Sequence, residues 1–334
     1  MKNIGALTFG KSLRGAIGSA LELLFPLSLP EREFREFPAS SRRLLKEQKK
    51  NGRQTVGIFF HGQTPVLLKR LRFRFRTLSF FHLRNEAHVL SHIGGMSVVL
   101  ESSRFRRVFF PRLLSFEEVG GRITIARSFH SGRPVSKDIA FEQEALRVAI
   151  LSLRAIPDDA VSSFARRPFS LALVTFPIYW GISLVLFPRF FRTLLSFGKL
   201  FFLNASQAVF APSRLVVTHR DLFARNMAVK GETLSVFDFE LCVRSNPELE
   251  VARIVLEAFP IWGLYSTKRF LDSFSMTPSE KSRCIAFLAF SFVQALLLES
   301  STLSSDRAKG LAEFLEFFSR DTKLLSYSLS KNGF

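Results

Sequence analysis

The chain has 334 residues, 47% hydrophobic and 22% charged, which excludes a wholly disordered protein and suffices for one large domain or two modest ones. Lys and Arg outnumber Asp and Glu 47 to 28, a formal net charge of +19 that favours anionic partners: nucleotides, nucleic acid or an acidic membrane surface. The two cysteines, Cys242 and Cys284, lie far apart without metal-ligand spacing, so no disulfide framework is expected and a reducing, cytoplasmic compartment fits.

Residues 1–30 place Lys2, Lys11 and Arg14 ahead of a moderately apolar stretch that Glu22 interrupts. With no small-residue cleavage site, the pattern predicts an amphipathic N-terminal helix over 11–25 rather than a secretory signal. The basic run at 46–53 reads as a solvated loop or hairpin. Two β-type runs follow at 55–60 and 65–71, and His61-Gly62-Gln63-Thr64 between them suits a hairpin turn. Residues 83–93 predict a helix, with Leu83, Ala87, Leu90 and Ile93 on one apolar face. Strands are expected at 108–116 and 122–128, and a linker around Gly132. Beyond it the pattern is mainly helical, beginning with 140–155 and resuming after residue 248. Strands first and helices later predict an α+β chain with two lobes.

Arg and Phe interleave at 72–76 and 104–107. They could stack on bases but suit a lipid headgroup layer equally, and without a nucleic-acid-binding module nucleic acid is not the expected partner. Among the histidines only His88 and His92 have ligand-like spacing, and no third ligand accompanies them.

The chemistry concentrates in 217–240. A β-type run at 215–218 leads into His219-Arg220-Asp221-Leu222-Phe223-Ala224-Arg225-Asn226, and another at 233–237 leads into Asp238-Phe239-Glu240. Two strands joined by a loop put Asp221, Asn226 and Asp238 at neighbouring strand ends. Phosphoryl transfer from ATP needs one carboxylate at the attacking hydroxyl, and an amide oxygen plus a second carboxylate to hold Mg²⁺.

This segment resembles the catalytic and metal-binding loops of protein-kinase-like phosphotransferases, whose signature H-R-D-L-x-x-x-N is matched at every defined position from His219 to Asn226. The metal loop departs from D-F-G: Asp238-Phe239-Glu240 is similar to the aminoglycoside and choline kinase branch. The Asp-Leu-x-Ala-Arg portion also resembles lipopolysaccharide core kinases. Upstream, Val66-Leu67-Leu68-Lys69 is similar to the V-A-I-K strand. Downstream, 246–252 is similar to G-D-P-x-x-D-L-A, with Glu250 where an Asp usually braces the catalytic loop. No G-x-G-x-x-G precedes Lys69.

The resemblance implies an N-lobe over 31–131 and a C-lobe over 132–334. It implies Asp221 as base, Asn226 and Asp238 as Mg²⁺ ligands with Glu240 auxiliary, Lys69 on the ATP phosphates and Glu86 positioning Lys69. The expected activity is transfer of the ATP γ-phosphoryl to a hydroxyl of a small-molecule, glycan or lipid-linked acceptor. The rival expectation is a catalytically silent pseudokinase serving as a membrane-associated binding scaffold.

Residues 168–188 are free of charge and flanked by Arg166, Arg167 and Arg189. The stretch reaches membrane-spanning length. A single crossing would separate Lys69 from Asp221, so the readings that remain are interfacial or re-entrant contact with an anionic membrane, or a buried helical insert. Residues 193–211 are expected to form a central buried helix.

Overall fold

The computed structural model describes residues 43–50, 54–61, 64–72, 78–100, 104–120, 122–130, 132–135 and 138–298, with positions 310 and 313. The expected N-terminal helix at 11–25 lies outside them. Three strands come first, β1 (Arg43–Lys50), β2 (Gln54–His61) and β3 (Thr64–Arg72), then helix α1 (Leu78–Ile93). Four more follow, β4 (Ser97–Val99), β5 (Arg107–Phe109), β6 (Leu113–Val119) and β7 (Arg122–Ser128), and the two-residue β8 (Arg133–Pro134) precedes α2 (Ile139–Arg154). Next are β9 (Arg166–Arg167), α3 (Phe169–Leu186) and α4 (Phe191–Ala208). The last elements are β10 (Val216–Thr218), β11 (Met227–Lys230), β12 (Thr233–Val236), β13 (Val243–Ser245), α5 (Glu248–Asp272) and α6 (Pro278–Leu298). The order is the α+β order expected from the sequence.

Two compact units emerge, one from 27–165 with 216–244, the other from 166–215 with 245–334. In the first, an antiparallel sheet runs β1-β2-β3-β7-β6. Of the two readings of the basic run, loop or hairpin, the hairpin holds: most of the run lies on β1, which pairs antiparallel with β2 from Arg43 opposite Phe60 to Lys50 opposite Gln54. Ladder hydrogen bonds override a polar composition, and lysines suit a strand at a sheet edge. The run expected at 108–116 divides into β5 and β6 around Pro111, which has no N–H to donate to a ladder.

α1 covers one face of this sheet through Phe80, Leu83 and Ala87 against Leu71, Ile123 and Ile125. Lys69 sits two residues before Leu71 on β3 and opposite Ile125 of β7, so strand alternation aims it at α1. A second sheet, β4-β5-β12-β11-β8, contains the parallel pair β5–β12, which joins residues 107–109 to 233–235.

The second unit is helical. Phe176 of α3 stacks on Phe201 of α4 at 3.7 Å, and Phe197 of α4 stacks on Phe292 of α6 at 4.1 Å. Trp180 Nε1 donates to Leu194 O at 2.7 Å, its indole lying where Gly198 has no side chain. Buried Arg283 of α6 donates Nε to Glu248 Oε1 at 3.2 Å, and its guanidinium also reaches Ala208 O and Ala211 O. One side chain thereby ties together three helix ends.

Candidate active site

The site is built in the first unit from β3, α1, β7 and the loops after β10 and β12. α1 places Glu86 within its apolar stripe, three residues after Leu83 and four before Leu90, so the carboxylate is wholly buried at the sheet face. Lys69, itself 6% exposed, reaches it at 2.7 Å. Its ammonium also contacts Glu240 Oε1 at 2.8 Å and makes a short ion pair with Asp238. Four residues expected to share a nucleotide site, Lys69, Glu86, Asp238 and Glu240, therefore meet around one nitrogen.

Burial alone would lower Lys69, but Glu86, Glu240 and Asp238 together raise it well above its ordinary range. Burial pushes the Asp238 carboxyl up, and the Lys69 charge and hydrogen bond, helped by Arg127 and His219, outweigh it and hold Asp238 at about 2. Burial drives Glu86 upward against the pull of Lys69 and Arg127.

The loop expected to be catalytic leaves β10, which Thr218 Oγ1 fastens by donating to Val243 O at 3.2 Å. Arg220 adopts left-handed backbone (φ 65), as does Asp238 (φ 76), and such non-glycine positions cost of order 1 kcal/mol each. His219 is fully buried. Its Nε2–H donates to Phe237 O at 3.0 Å, leaving Nδ1 to accept from the Asp221 amide at 3.3 Å. Phe237 N in turn donates to Asn226 O at 3.0 Å. The backbone after Asn226 is thereby joined to the backbone before Asp238.

Asn226 Nδ2 donates to Asp221 O at 2.7 Å and to Asp221 Oδ2 at 2.8 Å. With the amide nitrogen so engaged, the amide oxygen is the group left to meet a cation. The Glu86, Asp238 and Glu240 carboxylate oxygens lie within 4.8 Å of one another. Oxygen donors of this kind suit a hard cation such as Mg²⁺.

Three contributors escape sequence reasoning. Arg127 on β7 places Nε 3.4 Å from Glu86 Oε1, a second cation on that carboxylate that only sheet register reveals. Asn85 Nδ2 donates to Glu240 O at 3.0 Å and Cys242 O at 2.9 Å, pinning the turn after Asp238 to α1. Arg225 pairs with Asp221 Oδ1 at 2.8 Å, and its i,i+4 spacing from Asp221 was a usable signal. His88 and His92 converge on Ser163 Oγ at 3.1 and 3.3 Å. They form no cluster of three potential metal ligands among the described residues. Gly132, expected in a linker, lies beside β11, where a Cβ would come within 3.0 Å of Val229 O. Glu250 is buried on α5 of the helical unit.

No protein-family model matches the chain, and comparison with curated proteins finds no match. Solved structures do. A thermostable mutant of aminoglycoside phosphotransferase APH(4)-Ia, in complex with AMP-PNP and hygromycin B, is 12% identical with a TM-score of 0.57, covering 83% of this chain and 93% of its own. The aminoglycoside 2'-phosphotransferase-IIIa GDP complex is 16% identical with a TM-score of 0.56, covering 85% and 93%. A GDP and kanamycin complex of an APH(2") enzyme is 15% identical with a TM-score of 0.54, covering 84% and 94%. The chain has the protein-kinase-like α+β fold of the aminoglycoside phosphotransferases.

Proposed function

We propose that this protein transfers the γ-phosphoryl group of ATP to a hydroxyl of a small-molecule, glycan or lipid-linked acceptor. The observation that carries the reading is Lys69 held among Glu86, Asp238 and Glu240, in the same unit as an Asp221–Asn226 pair. In this reading Asp221 accepts the acceptor hydroxyl's proton as its oxygen bonds to the γ-phosphorus and ADP departs with the β–γ bridging oxygen. Arg225 and Asn226 hold the two oxygens of Asp221, fixing the direction from which it accepts. Lys69 turns from Asp238 and Glu240 to the nucleotide phosphates, with Glu86 keeping it in place. Asn226, Asp238 and Glu240 would hold Mg²⁺, which when bound neutralises charge on the phosphates.

The cationic chain and the exposed Arg225 beside Asp221 favour an acceptor bearing anionic groups over a polycationic one. A screen of alcohols for ATP-dependent phosphorylation, with anionic sugars set against kanamycin, tests both points. We expect Asp221→Ala to lower kcat by roughly 10³-fold, with nucleotide affinity retained. Lys69→Met is expected to weaken nucleotide binding. Background rates for wild type and Asp221→Ala alike, across the whole screen, would identify a silent scaffold instead.

A further inference from the structure

The outer face of the helical unit is apolar and flanked by positive charge. α3 buries Ala172, Thr175, Phe176, Tyr179 and Ser183. On its other side Val174, Ile178 and Val185 are 68%, 51% and 80% exposed. Gly181 shares that stripe, and a Cβ there would meet nothing within 4 Å. At helical periodicity these four positions fall within an arc of about 60°. Phe191, Leu195 and Phe202 of α4 are exposed as well. Phe202 packs against Phe176 and Trp180 at 5.8 and 6.1 Å, on the side of α3 away from the stripe, and so marks the seam between the two helices.

The charge pattern of this region is one-sided. No Asp or Glu occurs from 160 to 220, whereas Arg166, Arg167, Arg189, Arg192, Lys199 and Arg214 all fall there. Arg166 stands exposed before α3; Arg189, Arg192 and Lys199 are exposed after it. An ordinary aqueous surface mixes the two signs. A symmetric contact with a second copy would set these cations against their own kind.

α3 is long and apolar enough to cross a membrane. Its buried side is committed to the bundle, however: Phe176 on Phe201, Tyr179 on Phe290 at 5.7 Å, Phe169 on Phe287 at 5.1 Å. A span would strip those contacts, whereas a helix lying flat keeps them. We infer that the outward side of α3 docks on an anionic lipid bilayer, with the Val174–Ile178–Val185 stripe at the acyl boundary and the flanking cations on headgroup phosphates. The inference is independent of phosphotransfer.

Flotation of the full chain with phosphatidylcholine vesicles, with and without phosphatidylserine, tests it. The protein is expected to float with the serine-containing vesicles and to stay below with the neutral ones. The double variants Ile178→Asp/Val185→Asp and Arg189→Glu/Arg192→Glu should each reduce the floating fraction about tenfold or more, since each near-surface charge contributes several-fold to binding. Their melting temperatures should match wild type, because these side chains face solvent. The inference is overturned by a wild-type chain that stays below with anionic vesicles, or by variants that float as wild type does. A wild-type dimer that Ile178→Asp splits into monomers, without vesicle binding, would overturn it in favour of a second copy as occupant.

Discussion

Lys69 shows how a residue's meaning depends on its surroundings. A lysine following three apolar residues on β3 becomes, once α1 is packed on that strand, a bridge among three carboxylates. The same contacts make Asp238 a source of pH dependence. Its folded value of about 2 lies below the ordinary 3.8, so its stabilisation is full above pH 3.8 and is lost as pH falls toward 2. The expected loss is about 2 kcal/mol across that window. Urea titrations at a series of acid pH values should show it for wild type. Asp238→Asn should remove that component, and an equally steep acid limb in the variant would contradict the assignment.

At the scale of elements, α3 and α4 meet through a mutual accommodation of Trp180 and Gly198. A Cβ on Gly198 would sit 2.7 Å from Trp180 Cε2 and 2.9 Å from Nε1, which itself holds Leu194 O. Helix propensity favours Ala over Gly by about 1 kcal/mol, but overpacking a rigid indole costs about 1–3 kcal/mol. Packing wins. Gly198→Ala should lower the melting temperature by a few degrees and shift Trp fluorescence as the ring is displaced. A melting temperature equal to or above wild type would show that the indole can move aside at little cost. α3 itself was expected either to be buried or to touch a membrane, and only its inner side is buried. Residues 193–211 were expected to form a buried helix. α4 instead leaves Phe191, Leu195, Phe202 and Leu203 exposed, because an amphipathic helix buries one stripe only.

For the whole molecule, the discontinuous first unit has a consequence for folding. β5 takes β12, more than a hundred residues later, as its parallel neighbour, and Lys69 and Glu86 take Asp238 and Glu240 from the same late segment. A fragment ending at residue 165 would leave β5 without that neighbour and Lys69 without two of its carboxylates. It should show little cooperative unfolding by circular dichroism, where the full chain shows a transition. A fragment that melts cooperatively would show that residues up to 165 suffice alone. Pairings this distant in sequence also predict slow refolding.

The candidate catalytic stretch was legible in the sequence because its groups are local: Asp221 to Asn226 span one short loop, and Asp238 to Glu240 one strand end. Strand and helix periodicity located β2, β3, β7, α1 and α2 to within a few residues, since one-sided burial writes itself as spacing. Residue order by itself thus determined the α+β class, the loop of the candidate site and the positive charge of the 160–220 region. Tertiary structure alone decided between loop and hairpin for the basic run, that Arg127 and Asn85 line the candidate site, and which side of α3 faces outward. Each of these depends on partners tens to more than a hundred residues away, and the local pattern of a chain holds no record of what will pack against it.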